Sequence, residues 1–197
     1  MTSFNQDPNR ASGHDDQMDA GEYVFDVELN IDFTKLIISC SDNTLSVYDY
    51  ESMVLQSKIP AHTDTINCIE SSKESPFLVY SGSSDGIVAL WDLRLGAKAV
   101  LTYKIPEEVY ALSVGFADTL LTTAYDSSIL FFDLRNGASK NRTLKNKLAE
   151  YPDVHSDFVT QLKFNPSNQN ILTSAAEDGL ICILDPTGNF SFIERDI

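Results

Sequence analysis

The chain has 197 residues, 43% of them hydrophobic, with 14 lysines and arginines against 29 aspartates and glutamates, a formal net charge of −15. That length supports one sizeable core or two small ones. The charge repels phosphate backbones, which excludes broad nucleic-acid binding and favours solubility and basic partners, and no run of about eighteen apolar residues offers a membrane span.

Residues 1–21 read as a disordered acidic tail. They are rich in Asn, Asp, Gln, Ser and Gly, and such a segment buries too little surface to offset its ordering entropy. The opening MTSFNQDPNR lacks the apolar stretch of a secretion signal. From Glu22 onward, short apolar runs alternate with turn residues, as in β-strands. Val24, Val27 and Leu29 predict a first strand, LIIS a second, LSVYD ending at Asp49 a third, and MVLQSKI a fourth. The order repeats with Ile66 and Ile69, FLVYS, IVALWD ending at Asp92, and AVLTYKI. It repeats again with Val109, Leu112 and Val114, then LLTT, then ILFFD ending at Asp133. KNRTLKNKLAEY, residues 140–151, is expected to be a short helix or a solvated connector. A last unit holds Val159, Leu162 and Phe164, then ILTS, LICILD ending at Asp185, and FSFIERDI.

The closing aspartates are 43, 41 and 52 residues apart. Seven residues before each stands another, namely Asp42, Asp85, Asp126 and Asp178. The dipeptides DN, DG, DS and DG at those positions predict a tight turn between the second and third strands. A period near 40 residues signals a repeat architecture.

Two units carry the same polar set. His62 precedes Asp85 by 23 residues and Ser81 precedes it by four; His155 and Ser174 stand in the same relation to Asp178. Ser, His and Asp are the parts of a hydrolase, yet an enzyme needs one such constellation and not two in register with a repeat. His14, the third histidine, lies in the tail. Phosphate-loop, HExxH and CxxC patterns are absent, so no catalytic residue, metal site or cofactor is expected. Cys40, Cys68 and Cys182 are isolated, as in a reduced intracellular protein of the cytoplasm or nucleus.

The four-strand period and the closing Trp91-Asp92 resemble the WD-repeat family of β-propellers. The resemblance covers residues 22–197 and implies an all-β fold of about four blades, at about 22–60, 61–104, 105–150 and 151–197. Blades 2 and 4 fit best. Tyr48 and Phe132 replace the tryptophan in blades 1 and 3, which also lack the histidine. Rings of this family commonly have about seven blades, so four imply an incomplete ring.

The resemblance also implies roles. His62, Ser81, Asp85 and Trp91, and likewise His155, Ser174 and Asp178, form a structural hydrogen-bond network. Asp64, Ser84, Tyr125, Asp157 and Glu177 fall on the top rim, a seat for a basic protein or peptide. On the opposite rim, WDLR with Trp91, Asp92 and Arg94 matches the box by which WD-repeat receptors dock on the damaged-DNA-binding adaptor of cullin-RING ubiquitin ligases; Arg135 in FDLR matches in part. The expected function is a non-catalytic interaction scaffold, with that receptor as the alternative and a Ser/His/Asp hydrolase as the rival of another class. Neither nucleic acid nor membrane is an expected partner.

Overall fold

Period-2 alternation, broken by Asp, Asn and Gly turns, folds each repeat into an antiparallel ladder in chain order. In this computed structural model, residues 23–115, 117–135, 147–168 and 171–185 are described. The first sheet holds β1 (Val24–Leu29), β2 (Lys35–Cys40), β3 (Thr44–Asp49) and β4 (Leu55–Pro60). The second holds β5 (Ile66–Ser71), β6 (Leu78–Ser83), β7 (Ile87–Asp92) and β8 (Leu101–Lys104). The third holds β9 (Ala111–Gly115), β10 (Leu120–Tyr125), β11 (Ser128–Asp133) and β12 (Lys147–Tyr151). The fourth holds β13 (Val159–Phe164), β14 (Leu172–Ala176) and β15 (Ile181–Leu184). The tail and the expected last strand FSFIERDI lie outside the described residues.

Part of the expected helix or connector at 140–151 is a strand. β12 pairs with β11, Ile129 opposite Tyr151 and Leu130 opposite Glu150. A segment so short has little helical stability of its own, whereas the β11 edge offers partners for its backbone. Residues 136–146, with Lys140, Arg142 and Lys145, lie outside the described residues.

The sheets stack face to face and share three apolar cores. Ile37, Leu45 and Ile59 of the first sheet meet Ile69, Val79 and Trp91 of the second. Tyr80, Val88 and Tyr103 of the second meet Leu112, Leu121 and Phe132 of the third. Ala124, Ile129 and Phe131 of the third meet Leu162, Leu172 and Leu184 of the fourth. Each fully buried side chain of this size is worth about 1.5–3 kcal/mol.

The first strands β1, β5, β9 and β13 line a common central channel with a cavity of about 320 Å³. Bulges interrupt the pairing of three of them, between Val24 and Asp26, Ile66 and Cys68, and Val159 and Gln161. The extra residues, Phe25, Asn67 and Thr160, all line the cavity, since a bulge re-aims a side chain.

The turns differ in one blade. Three residues join the second and third strands in the first and second sheets and four in the fourth, and the left-handed position falls on Asn43, Gly86 or Gly179, just after the aspartate. In the third, β10 and β11 are joined by Asp126 and Ser127 alone, and Asp126 itself takes the positive φ of 49°. Phe132 therefore pairs with Leu121, five residues before Asp126, whereas Trp91 pairs with Val79, six before Asp85. The blade is one residue short ahead of its aspartate, although the seven-residue spacing behind it is kept.

Candidate functional site: buried relays and two rims

The shared geometry begins at the turn aspartates. Asp85 accepts hydrogen bonds from the backbone N–H of Ile87 and of Thr63, both at 3.0 Å. Its carboxylate lies 3.0 Å from His62 Nδ1, and His62 Nε2 lies 2.7 Å from Ser81 Oγ. Trp91 Nε1 donates to the same oxygen at 2.8 Å. One protonation pattern satisfies every partner: Trp91 donates to Ser81, Ser81 to His62 Nε2, and His62 Nδ1–H to Asp85. This chain ties together the loop before β5 and the strands β6 and β7.

Burial pushes the His62 pKa down, and Asp85 opposes that without overcoming it, so the ring is held neutral. Burial raises the Asp85 pKa, but the Thr63 N–H and His62 outweigh it and hold the carboxyl below the ordinary range.

The fourth sheet repeats the arrangement. His155 Nδ1 is 3.1 Å from Asp178, His155 Nε2 is 2.8 Å from Ser174 Oγ, and Asp178 accepts from Ser156 and Leu180 N–H at 2.9 Å. Leu184 stands where Trp91 does, so Ser174 has no indole donor. Ser81 and Ser174 are both fully buried and already committed to their histidines. Neither is placed to attack a substrate.

The other two sheets use substitutes. Asp42 accepts from Thr44 Oγ1 at 2.6 Å and pairs with Lys58 at 2.8 Å, close to solvent. In the third sheet, Thr123 is the register equivalent of Ser81, and its hydroxyl donates to the Ala111 carbonyl at 3.2 Å. Phe132 closes that blade against the Tyr103 ring at 5.0 Å.

The loops entering the first strands share a rim with the turns between second and third strands. Asp64 and Asp157 accept from the N–H groups of Thr65 and Phe158 at 2.7 and 2.8 Å, and both are exposed. Glu177 is exposed in the β14–β15 turn. Ser84 is turned inward, its Oγ accepting from Asn67 Nδ2 at 3.0 Å. Tyr125 is tied to the outer strand: its hydroxyl donates to Glu150 at 2.5 Å, and burial followed by that carboxylate pushes its pKa up to about 12. The five residues thus share a rim, but not one surface patch.

On the opposite rim, Arg94 Nε and Nη2 donate to both oxygens of Asp92 at 2.9 and 2.7 Å, and the guanidinium lies 4.5 Å above the Phe77 ring. Arg135 makes the same fork to Asp133 at 3.0 and 2.9 Å. Both guanidiniums remain largely exposed, at 59% and 68%.

Two segments, residues 53–92 and 146–185, match the WD domain, G-beta repeat family. They end at the closing aspartates of the two sheets that carry the Ser-His-Asp relay. The chain is 32% identical over 175 residues to the WD repeat-containing protein GTS1 of Arabidopsis thaliana, covering 86% of this chain and 43% of that protein. It is 25% identical to the WD repeat-containing protein 89 homolog of Dictyostelium discoideum, covering 83% and 42%; the segment VHSDFVTQLKFNPSNQNILTS also resembles protein 89. The chain carries WD repeats.

A solved chain of the Mitotic Checkpoint Complex superposes with a TM-score of 0.72 at 20% identity, over 86% of this chain and 50% of that one, and shows the propeller fold. The WD-repeat chain thus spans about half the length, or less, of the relatives it matches. WD-repeat propellers act generally as protein-interaction scaffolds.

Sequence reasoning passed over one cluster at the lower mouth of the channel. Glu70, only 2% exposed, pairs with Lys73 at 2.7 Å and with Lys163, which reaches it from β13 across the channel. Glu28 accepts from Ser71 N–H at 3.3 Å, and Asp26 accepts from Ile69 N–H at 2.8 Å, pinning β1 to β5. Burial, then the Glu70 charge, raises the Glu28 pKa. Burial works against the Lys163 ammonium, but Glu70 outweighs it and holds its pKa above the ordinary value. The only signal was a charged residue inside the run INCIES.

Proposed function

We propose that the chain is a non-catalytic scaffold that binds basic segments of partner proteins on its top rim. One contrast carries the reading. The serine, histidine and aspartate groups of both relays are consumed inside the blades, whereas Asp64, Asp157 and Glu177 stand exposed and no ion pair among the described residues neutralises them. Exposed charge of one sign steers an oppositely charged partner and sets the salt dependence of its binding. An intracellular setting belongs to the same proposal, supported by Cys40, Cys68 and Cys182, which lie buried and form no disulfide among the described residues. The test compares the proteins captured from cell extract by the wild type with those captured by the triple variant Asp64→Asn, Asp157→Asn, Glu177→Gln. Loss of basic partners from the variant is expected; an unchanged set would remove the top rim from the binding surface.

A second reading rests on the matched arginines. Arg94 and Arg135 are held in the same fork on successive blades and stay exposed. An arginine fork pre-organised in this way suits carboxylates and carbonyls of a docking protein, which supports a receptor for the damaged-DNA-binding adaptor of cullin-RING ligases. If the wild type fails to co-precipitate that adaptor, the receptor reading ends. If it succeeds, Arg94→Ala is expected to weaken capture more than Lys98→Ala.

A further inference from the structure

Between the third and fourth blades the top surface carries an aromatic pair that neither relay uses. Tyr110 immediately precedes β9 and Phe158 immediately precedes β13, so the two rings meet over the blade boundary, 5.3 Å apart and inclined at 58°. Phe158 is a large apolar side chain that remains 41% exposed. Its backbone is fully engaged: its N–H donates to Asp157 at 2.8 Å and its carbonyl accepts from Glu177 N–H at 2.9 Å. The next N–H, that of Val159, donates to the Asp126 carbonyl at 2.9 Å. The exposed ring is therefore held on a built loop between two turns.

Charge surrounds it. The Tyr110 hydroxyl donates to Glu108 at 3.1 Å. Burial, then Glu108, Asp126 and Glu177, raises the Tyr110 pKa, which brings three carboxylates from three loops into its field. Glu108, Asp126, Asp157 and Glu177 are all exposed, and no ion pair among the described residues engages any of them. Lys58, Lys73, Lys147, Lys163, Arg94 and Arg135 are paired to other acids. An exposed aromatic face rimmed by unneutralised carboxylates has one complementary occupant. A lysine ammonium or arginine guanidinium lies over the ring face, attracted by its quadrupole, while the carboxylates take its N–H donors.

We propose that Tyr110, Phe158, Glu108, Asp126 and Glu177 form the seat for one cationic side chain of an extended basic segment of a partner protein. This rests on the top-rim reading above and narrows it from the whole rim to the boundary of the third and fourth blades. Asp64, on the second blade, then contributes only diffuse attraction.

The test is a fluorescence-anisotropy titration of the full chain with a dye-labelled peptide of alternating arginine and serine. A glutamate-serine peptide serves as the control. Phe158→Leu keeps the charge and an apolar side chain but removes the ring; a roughly tenfold loss of affinity is expected, and a similar loss for Glu177→Gln. Asp64→Asn is expected to change affinity less than about twofold, and unchanged thermal midpoints show that each variant is folded. Equal loss from Asp64→Asn and none from Phe158→Leu would overturn this seat while leaving the top-rim reading standing. No arginine-dependent binding to the wild type would overturn both.

Discussion

Asp85 shows how much one carboxylate settles. It closes its own turn through Ile87 N–H, holds the incoming loop through Thr63 N–H, and orients His62. Asp85→Ala strands His62 and two backbone donors, and is expected to cost about 1–3 kcal/mol in a denaturant titration. Asp42→Ala removes a solvent-facing pair with Lys58 and should cost less than about 1 kcal/mol. Equal losses would mean that the relay adds nothing beyond a surface turn. The same relay has a pH signature. His62 in the folded chain binds its proton less readily than the ordinary value of 6.5 implies. Its contribution is complete above that value and is lost as pH falls from it toward the folded value, because the unfolded chain takes up the proton first. Asp85, held below 3.8, adds a separate loss only in stronger acid. Urea midpoints should therefore fall between about pH 7.5 and pH 5.5, and fall less in His62→Asn; identical slopes in the two proteins would show that His62 titrates freely.

Blade boundaries decide what the strands tolerate. A methyl group on Gly82 would sit 2.5 Å from Val109 Cγ1 and 2.7 Å from Cys68 Sγ, both buried and unable to withdraw. Gly82→Ala is expected to destabilise by about 1–3 kcal/mol, measured as a lowered unfolding midpoint, because overpacking a filled core displaces its neighbours. A neutral Gly82→Ala would mean that the second and third blades sit further apart than described. The first strands face an electrostatic problem instead. Glu28 has its pKa raised above 4.5 by burial and by Glu70, so its charge opposes folding at neutral pH. That penalty is absent below the unfolded value and grows as pH rises through the folded one. Glu28→Gln keeps an acceptor for Ser71 N–H and should raise the midpoint near pH 7, with no gain near pH 4. A loss at neutral pH would show that Lys73 and Lys163 more than neutralise the Glu28 charge.

At the scale of the molecule, the sheets share three cores in series. β1 packs on β5, β5 on β9 and β9 on β13, and no comparable packing joins β13 to β1 among the described residues. On β1, Val24, Phe25 and Val27 are 44%, 50% and 55% exposed. Repeat units without an apolar-free outer face are sticky. Residues 22–197 are therefore expected to bind a hydrophobic dye and to elute from size exclusion as dimers or larger species. A dye-silent monomer with a single cooperative transition would show that these four sheets suffice alone. Lys163 reaching Glu70 across the channel already offers one tie that skips the third blade.

Much of this protein was legible in order and spacing. Strand alternation, the Asp-Gly turns and the 23-residue interval from histidine to aspartate depend on neighbours near in sequence, so they placed the ladders and the members of both relays. The third blade shows the limit: its seven-residue spacing is intact, yet a one-residue shortening ahead of Asp126 shifts the register and moves the Ser81 position to Thr123. Strand β12 formed where a helix or connector was expected, because the β11 edge supplied backbone partners that no local propensity encodes. Tyr125 left the top patch for Glu150, and Tyr110 met Phe158, through contacts between residues 25 and 48 apart in sequence. The Glu28, Glu70 and Lys163 cluster joins three blades around one axis. Local patterns decide which residues form each sheet; only the stacking of sheets around the channel decides which side chains become neighbours, because that distance is set by packing and not by spacing along the chain.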